Sequence, residues 1–277
     1  MENLREPAVA GAFYPSNPDA LADDVRGYLR DAEKAAVEGE VIGLISPHAG
    51  YAYSGQVAAY AYKLVEGMDF DDVIVIAPSH QWPFEGASIY HRGGFGTPLG
   101  VVTVDGEMCD EIMAFDRRFQ FIPEAHAGEH SLEVQLPFLQ VSLEKYKLVP
   151  IVLMGGAGYE ICQSLGEAIA NSVKDRNCLI VASSDLTHGY NYQQVVAQDE
   201  ILARHVDQFD IDGLAEDLRG GRCQACGEGP ILTAMMAAKA LGGDRGRVLK
   251  LTNSGDVTGD KRPGNYTVGY LAGVFYR

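Results

Sequence analysis

Three histidines that follow apolar runs of strand length point most directly to chemistry. His48, His80 and His188 each stand within five residues of the end of such a run, and Asp185 lies three residues before His188. In open α/β sheets, ligands bind beyond the carboxyl ends of the strands. One histidine at such a place is usually a hydrogen-bonding turn residue. Three of them at equivalent places predict a shared cleft.

These histidines could bind a metal ion if an anionic group joined them. Two neutral imidazoles and one anionic ligand can hold a divalent transition metal and leave positions open for substrate or water. Cys226 precedes a predicted helix start, where a thiolate is favoured, and completes a candidate metal set with His48 and His80. We expect iron or copper there, with zinc as the alternative. His188 would remain as an acid or base, and Asp185 could orient it or supply a fourth ligand.

The other cysteines suggest different roles. Cys223 forms a C-x-x-C pair with Cys226, but a charged helical segment precedes the pair, whereas a redox motif of the thioredoxin type follows a strand. A single pair also disfavours a four-cysteine zinc site. The role of Cys223 therefore stays open. Cys109, Cys162 and Cys178 lie in helix or strand patterns and are expected to be small buried hydrophobic residues.

The remaining histidines are weaker candidates. His91 and His126 lie in polar segments and are expected to have no role, and His205 lies in a charged helical pattern that predicts a surface position. His130 directly precedes Ser131, which we expect to cap a helix. His130 could still face the cleft beside the candidate metal set and contact a substrate.

The elements that must position these residues alternate as strands and helices. Buried parallel strands read as unbroken apolar runs, and amphipathic segments of helical length separate them here. The pattern predicts strands at Val41–Ser46, Asp72–Ala77, Leu148–Leu153, Cys178–Ser183, Val248–Asn253 and Thr267–Phe275. It predicts helices at Asp19–Val37, Gly55–Val65, Ser131–Leu143, Tyr159–Val173, Val195–Phe209 and Pro230–Leu241. This order indicates a three-layer α/β/α fold with a mostly parallel central sheet.

Two segments carry further local signals. Asn17 and Pro18 are typical of the N-cap and first position of a helix, and they support the first predicted helix. The segment Trp82–Val104 is rich in Gly and Pro with short alternating runs, and it predicts a hairpin-like excursion from the main sheet.

The composition limits the class of protein. The chain has 277 residues, with 22 Lys and Arg against 38 Asp and Glu, so its formal charge is −16. An acidic chain is a poor non-specific binder of nucleic acid or of anionic membranes. The sequence contains no apolar run long enough for a membrane span and no secretory signal pattern. Its five cysteines suggest a reducing compartment. We therefore expect a cytoplasmic protein with one domain, residues 1–277.

The motifs around these residues resemble those of the Memo family, protein B of the AmmeMemoRadiSam system. Each motif alone is weak, but they occur in the family's order over nearly the whole chain. The matching segments are Ala10–Pro15, Ser46–Gly55, Ala77–His80, Gly96–Gly100, Glu129–Leu139, Ser183–Tyr190, Cys226–Ile231 and Tyr266–Gly273.

This resemblance implies an α/β/α domain similar to the class III extradiol ring-cleaving dioxygenases. It implies that His48, His80 and Cys226 occupy metal-ligand positions, that His188 matches the catalytic histidine of those dioxygenases and that Asp185 lies at the site. Prokaryotic members are commonly encoded with an AMMECR-like protein and a radical-SAM protein, which are therefore possible partners. Eukaryotic members are described as adaptors that bind phosphotyrosine peptides through the same cleft.

One departure from the dioxygenases affects the functional prediction. Their third ligand is a carboxylate, whereas this chain has Cys226 at the corresponding position. A thiolate makes the site softer and can itself be oxidised. Because one fold hosts many functions, ring cleavage does not follow from the fold.

Three functional hypotheses remain open at this point. The first is a metal-dependent oxidoreductase, similar to a dioxygenase, that acts on a small substrate with O₂. The second is a metal-independent enzyme in which Cys226 attacks, His188 is the base and Asp185 orients it. The third is a binding module for a peptide or anion. In any of these, a ligand would contact residues of the cleft, namely Tyr51, Tyr53, Tyr190 and His130.

Overall fold

The structure of this chain, a computed structural model, describes residues 3–173 and 176–277. Its strands are β1 (Leu4–Arg5), β2 (Val41–Ser46), β3 (Asp72–Ser79), β4 (Ala87–Ile89), β5 (Gly94–Thr97), β6 (Gly100–Thr103), β7 (Phe119–Gln120), β8 (Lys147–Met154), β9 (Cys178–Ser183), β10 (Asp185–Gly189), β11 (Arg245–Asn253) and β12 (Thr267–Tyr276). Its helices are α1 (Pro18–Asp31), α2 (Tyr51–Val65), α3 (Gly106–Phe115), α4 (Pro123–Ala127), α5 (Leu136–Ser142), α6 (Tyr159–Ser172), α7 (Tyr192–Gln208), α8 (Ile211–Arg219), α9 (Glu228–Ala240) and α10 (Ser254–Thr258).

The centre of the main sheet consists of β2, β9, β3 and β8, which run parallel in that order. Their interior residues are buried because helices cover both faces, which explains why these strands read as unbroken apolar runs. Ser46 pairs with Ser183 at the end of β2 and β9, and Ser79 pairs with Met154 at the end of β3 and β8. The carboxyl ends of these strands therefore lie along one edge.

Antiparallel strands border this parallel centre. The last strand, β12, pairs with β2 near its C-terminal end, with β10 near its N-terminal end, and with β11 along its length. On the other side, β4 is antiparallel to β8 and parallel to β7. The predicted α/β fold is confirmed. The sheet is mixed, because parallel pairing is limited to the centre and to the β4–β7 pair.

Two groups of helices cover the sheet. Helix α2 packs with α1 and α5 and lies against β2 and β12. Helix α9 packs with α6 and α8 and lies against β2, β3 and β9. The resulting order of helices, sheet and helices is the three-layer arrangement that strand and helix alternation predicts.

Helix α1 begins as predicted but ends early. The Asn17 side chain accepts a backbone hydrogen bond in its first turn, as expected of an N-cap. The helix stops at Asp31 instead of Val37. The residues that follow leave the helix and lead to Glu40, which exchanges two backbone hydrogen bonds with Arg277. This long-range pairing overrides the helical propensity of the segment.

The segment predicted as one helix over Ser131–Leu143 is built differently. It contains a 3-10 turn at Glu133–Gln135, followed by the short helix α5. The prediction that Ser131 caps this helix is wrong, because its hydroxyl donates 2.8 Å to the carbonyl oxygen of Pro78. Ser131 therefore ties the segment to the end of β3.

The segment Trp82–Val104 contributes to two sheets. As predicted, it contains a hairpin outside the main sheet, because β5 and β6 pair with each other and β5 pairs with β1. Its other strand, β4, belongs to the main sheet. The sequence patterns missed β10, the helices α3, α4, α8 and α10, and the two-residue strands β1 and β7. Of these, β10 bears directly on the site, since it carries both Asp185 and His188.

None of the helices in the described residues is long and apolar enough to cross a membrane.

A buried carboxylate on α7 supports β10 through a backbone hydrogen bond. Asp199 of α7 accepts a hydrogen bond of 3.0 Å from the backbone N–H of Thr187. A Cβ at Gly269 of β12 would collide with this carboxylate, so the close approach requires glycine. Burial raises the pKa of Asp199 to about 7, although hydrogen bonds from Thr187 act in the opposite direction.

This raised pKa predicts a pH dependence of stability. In the unfolded chain Asp199 ionises near pH 4, whereas the folded chain resists ionisation until about pH 7, so stability falls as the pH rises between these values. The fall amounts to about 1.4 kcal/mol for each pH unit that separates the folded from the unfolded pKa. We expect Asp199→Asn to flatten the profile in this window and to raise the free energy of unfolding at pH 8 in urea titrations. Glu200→Gln, an exposed change on the same helix, is the control. An unchanged profile for Asp199→Asn would contradict the prediction.

Candidate metal centre

The carboxyl edge of the sheet brings together two histidines and a cysteine that are distant in sequence. His48 follows β2, His80 follows β3, and Cys226 precedes α9. One ligand atom from each lies within 4.8 Å of the others. The Sγ of Cys226 is 3.1 Å from the Nε2 of His48. For His48 and His80, this is the arrangement that a parallel sheet predicts for residues that follow strands at the same edge.

His80 is oriented by the buried carboxylate of Glu129. Its Nδ1 lies 2.9 Å from one carboxylate oxygen, and its backbone N–H donates 2.5 Å to the other. Burial acts to raise the pKa of Glu129, but hydrogen bonds from His80 and from the backbone of Ser131 outweigh it and lower the pKa to about 2. An ionised carboxylate can only accept, so Nδ1 of His80 carries a proton, and the other ring nitrogen, Nε2, is the one available to a metal.

Glu129 also belongs to a second possible metal set, with His80 and His130, whose ligand atoms lie within 4.8 Å of one another. Its oxygens, however, already accept the backbone N–H groups of His80 and Ser131. A carboxylate held in this way is suited to orient a ligand rather than to be one. The His48, His80 and Cys226 set is therefore the stronger candidate.

His48 is fully buried, and burial lowers the pKa of its imidazole well below the usual value, with further lowering by His130 and His80. The ring is therefore neutral at physiological pH, as a metal ligand must be. Its Nδ1 lies 2.8 Å from the hydroxyl of Ser183.

Cys226 is held close to β10 by its backbone and by its neighbour Gly227. Its N–H donates 3.2 Å to the carbonyl of Asp185, and its Sγ accepts from the backbone N–H of Asp185 at 3.3 Å. A Cβ at residue 227 would collide with the carbonyl of Ser183, so only glycine fits there. Burial raises the pKa of the Cys226 thiol, Asp185 raises it further, and together they outweigh the opposing hydrogen bonds, which include one from the backbone of Gly227 at the start of α9. The expected stabilisation of a thiolate by that helix is therefore not the dominant influence.

Asp185 supports the turn that carries His48. One of its oxygens accepts the backbone N–H of His48 at 2.8 Å and that of Ala49 at 3.3 Å. Burial raises its pKa to about 7, and these two hydrogen bonds act in the opposite direction. Within the described residues, Asp185 makes no hydrogen bond to the ring of His188. Its contacts are instead with the backbone of the turn that carries His48, and its role as a fourth ligand stays a prediction.

His188 lies at the exposed end of β10, and its Nδ1 is 2.9 Å from the hydroxyl of Tyr266. Burial of part of the ring lowers the pKa of His188, and His80 lowers it further. Our reasoning from the sequence missed Tyr266 as a partner. Two signals could have indicated it: its position directly before β12, the strand that pairs with β10, and its place at the start of the matching segment Tyr266–Gly273.

The residues expected to contact a ligand divide into two groups. Tyr53 and Tyr190 are exposed, at 49% and 68%, and the ring of Tyr190 packs against Tyr266 at 5.1 Å. His130 stacks on His80 with ring centroids 4.8 Å apart. Tyr51, in contrast, is buried and donates its hydroxyl to the carbonyl of Val134 at 2.8 Å. Tyr51 therefore supports the interior instead of facing a ligand.

The weaker histidine candidates have structural contacts. His126 is buried against Tyr90 and lies 2.9 Å from the hydroxyl of Ser88, and burial lowers its pKa to about 3. His205 was expected at the surface. It is instead half-buried, because the carboxylates of Asp210 and Asp217 lie on either side of its ring at 2.9 and 3.1 Å. Both residues hold local structure away from the cleft.

A second buried network, which sequence reasoning missed, attaches the N-terminal segment beside the cleft. The carboxylate of Glu133 accepts from the side chain of Arg5 and from the backbone N–H groups of Ala8 and Val9, at 2.7 and 3.0 Å. The same segment places Phe13 against His130, with ring centroids 4.8 Å apart. The N-terminal segment therefore forms one side of the site.

A comparison with protein families identifies the chain. A family model described as Memo-like protein matches residues 5–274. The chain belongs to the Memo family. A MEMO1 family protein of Nitrosopumilus maritimus is 35% identical over 97% of this chain and 98% of its own length. A MEMO1 family protein of Methanosarcina mazei is 37% identical, with the same shares covered. The predicted Memo resemblance is confirmed.

A solved structure supports the fold of this Memo-family chain. The crystal structure of an uncharacterized protein from Escherichia coli K12 matches with a TM-score of 0.54, over 86% of this chain and 100% of that chain. The two sequences are 14% identical, so this likeness concerns the fold alone.

Proposed function

We propose that this Memo-family protein binds a divalent transition metal through His48, His80 and Cys226 and uses it as an oxidoreductase on a small substrate. The observation that carries the proposal is the convergence of the three ligand atoms within 4.8 Å at the carboxyl edge of the sheet. The donor set fits such an ion, since His80 keeps its Nε2 lone pair and the imidazole of His48 is neutral.

The bound metal would supply Lewis acidity and, as iron or copper, redox capacity toward O₂. A mixed nitrogen and sulfur donor set suits copper and zinc, and binding at Cys226 would release the thiol proton. The ionised carboxylate of Glu129, which contacts His80, adds a further negative charge near the site, which favours a cation there.

The chain itself would handle the substrate and its proton. His188 is exposed, lies near His80 and stays neutral at physiological pH, so its free ring nitrogen can accept a proton from a substrate hydroxyl. The exposed rings of Tyr53 and Tyr190 offer apolar contact area for a small, planar substrate. A phenolic compound combines these two properties.

The geometry gives less support to a metal-independent nucleophile. The imidazole next to Cys226 is that of His48, and in the part of the chain that the structure describes no hydrogen bond joins Cys226 to His188. Burial also raises the pKa of the Cys226 thiol, whereas a nucleophilic cysteine requires a lowered one.

The test is anaerobic loading of the full chain with Fe(II), Cu(II) or Zn(II), followed by metal analysis and thermal unfolding. We expect near-stoichiometric uptake of at least one metal. We also expect a stabilisation that reaches about 2.7 kcal/mol at a free metal concentration of 100 times Kd. The iron- or copper-loaded protein should then consume O₂ in the presence of a catechol-type substrate, whereas the zinc-loaded protein should not. If no metal is taken up, the metal proposal fails, and titration with phosphopeptides becomes the test of a binding role. Metal uptake without consumption of O₂ or substrate would overturn the oxidoreductase part.

A further inference from the structure

We propose that Ser183 and Gln135 hold His48 in the tautomer with its proton on Nδ1, so that the Nε2 lone pair faces Cys226. Both are positioning residues, because they act through His48. The inference rests on the proposed function only in taking Nε2 as the metal-binding atom. The assignment follows from counting donors and acceptors in a buried chain of hydrogen bonds.

The amide of Gln135 has one possible orientation. Its Nε2 lies 3.0 Å from the carbonyl oxygen of Pro47, which can only accept a hydrogen bond. Its Oε1 accepts the hydroxyl of Tyr62 at 2.7 Å. With the amide fixed at both ends, the second N–H of Gln135 donates to the hydroxyl oxygen of Ser183 at 2.8 Å.

The single hydroxyl proton of Ser183 is also assigned. The carbonyl oxygen of Ser131 lies 2.7 Å from the Ser183 Oγ, and because it can only accept, the hydroxyl must donate to it. Ser183 then accepts from Gln135 and has no further proton to give. The Nδ1 of His48, 2.8 Å from the same Oγ, must therefore be the donor.

The consequence for His48 is a fixed direction of its lone pair. A neutral imidazole carries one proton, so a protonated Nδ1 leaves Nε2 free, and this atom is the one 3.1 Å from the Sγ of Cys226. Ser183 and Gln135 are fully buried, so water cannot easily take over their roles. The two candidate histidine ligands therefore differ in the group that accepts the Nδ1 proton, which is the neutral hydroxyl of Ser183 for His48 and the ionised carboxylate of Glu129 for His80.

Nitrogen-15 NMR of the histidine rings tests the assignment directly. In two-bond ¹H–¹⁵N correlation spectra of the labelled full chain at pH 8 without added metal, His48 should show a protonated Nδ1 and an unprotonated Nε2. Ser183→Ala should shift His48 toward a mixture of tautomers and weaken metal binding about 10- to 100-fold. Ser183→Thr, which keeps the hydroxyl, should retain both properties. Ser142→Ala removes a buried hydroxyl that has no hydrogen-bond partner among the residues the structure describes, and it should change neither.

The outcomes separate this inference from the proposed function. A protonated Nε2 in the wild-type spectrum would overturn the inference even if the protein binds metal. The expected tautomer in a protein that takes up no metal would support the inference and overturn the metal proposal. If Ser183→Ala does not fold, the wild-type and Ser183→Thr spectra still decide the tautomer. An unchanged tautomer and affinity in a folded Ser183→Ala protein would show that Ser183 does not position His48.

Discussion

Loss of metal binding is the expected result of replacing either His48 or Cys226 with alanine. Each change removes one of three converging ligand atoms. Residues that only orient a ligand typically contribute about 10- to 100-fold to metal affinity, so loss of a ligand itself should exceed about 100-fold. The measurement is metal content after anaerobic loading, together with the stabilisation that metal gives in thermal unfolding. Both signals should disappear in both variants.

Matched controls are available elsewhere in the chain. His91→Ala removes an imidazole that pairs with Asp110, and Cys178→Ala removes a thiol at the start of β9, at the opposite edge of the sheet from the site. Both controls should bind metal like the wild type. Full metal content in His48→Ala or in Cys226→Ala would contradict the proposed ligand set.

Replacing Glu133 with alanine should be strongly destabilising. Its carboxylate is fully buried and accepts from Arg5, from two backbone N–H groups and from the hydroxyl of Tyr14. Removing it leaves the guanidinium of Arg5, which is itself buried, without its charged partner. Breaking a buried ion pair from one side typically costs about 3–5 kcal/mol. Urea unfolding at pH 7 should show a loss of this size.

An exposed ion pair gives the comparison for this prediction. Asp260 and Arg262 pair on the surface, and Asp260→Ala should change the stability little, because solvent screens exposed charges. Glu133→Gln keeps the shape and one acceptor oxygen but loses the charge, so its stability should fall between those of the wild type and Glu133→Ala. A Glu133→Ala protein as stable as the wild type would show that the N-terminal segment is held by other contacts.

The parts of the fold that could be predicted from the sequence are those with a strong local signal. The central strands are buried on both faces, so their apolar runs are uninterrupted and their ends are easy to find. The positions of His48 and His80 near one edge then follow from the parallel order of the strands, whereas Cys226 follows α8 and reaches them through its backbone contact with Asp185. Helix α1 begins as predicted because an N-cap is a local signal. It ends early because the following segment leads to a pairing with Arg277, and a pairing between residues so far apart in sequence gives no local signal.

The partners of the candidate ligands could not be predicted, because their contacts are also long-range and leave no local signal in the sequence. Glu129, Ser183 and Gln135 are polar residues whose roles depend on contacts with residues far away in sequence. Glu129 and Ser131 lie in a segment that resembles a helix start, so the sequence favoured capping, whereas both side chains contact β3 or the turn after it. Tyr51 was predicted to contact a ligand because of its residue type and its place beside His48. Its position at the start of α2 instead directs its ring into the core.

The position of the last strand affects how this protein is made. β12 borders β2 and β10, and Cys226 comes 178 residues after His48, so neither the edge of the sheet nor the candidate metal centre can be completed while the ribosome still holds the C-terminal third. At synthesis rates of about 5–20 residues per second, the interval between the synthesis of His48 and that of Cys226 lasts on the order of 10–40 s. During it, the nascent chain exposes an unpaired edge of β2 and a histidine without its thiol neighbour. The three candidate ligands can therefore come together only after Cys226 has been synthesised.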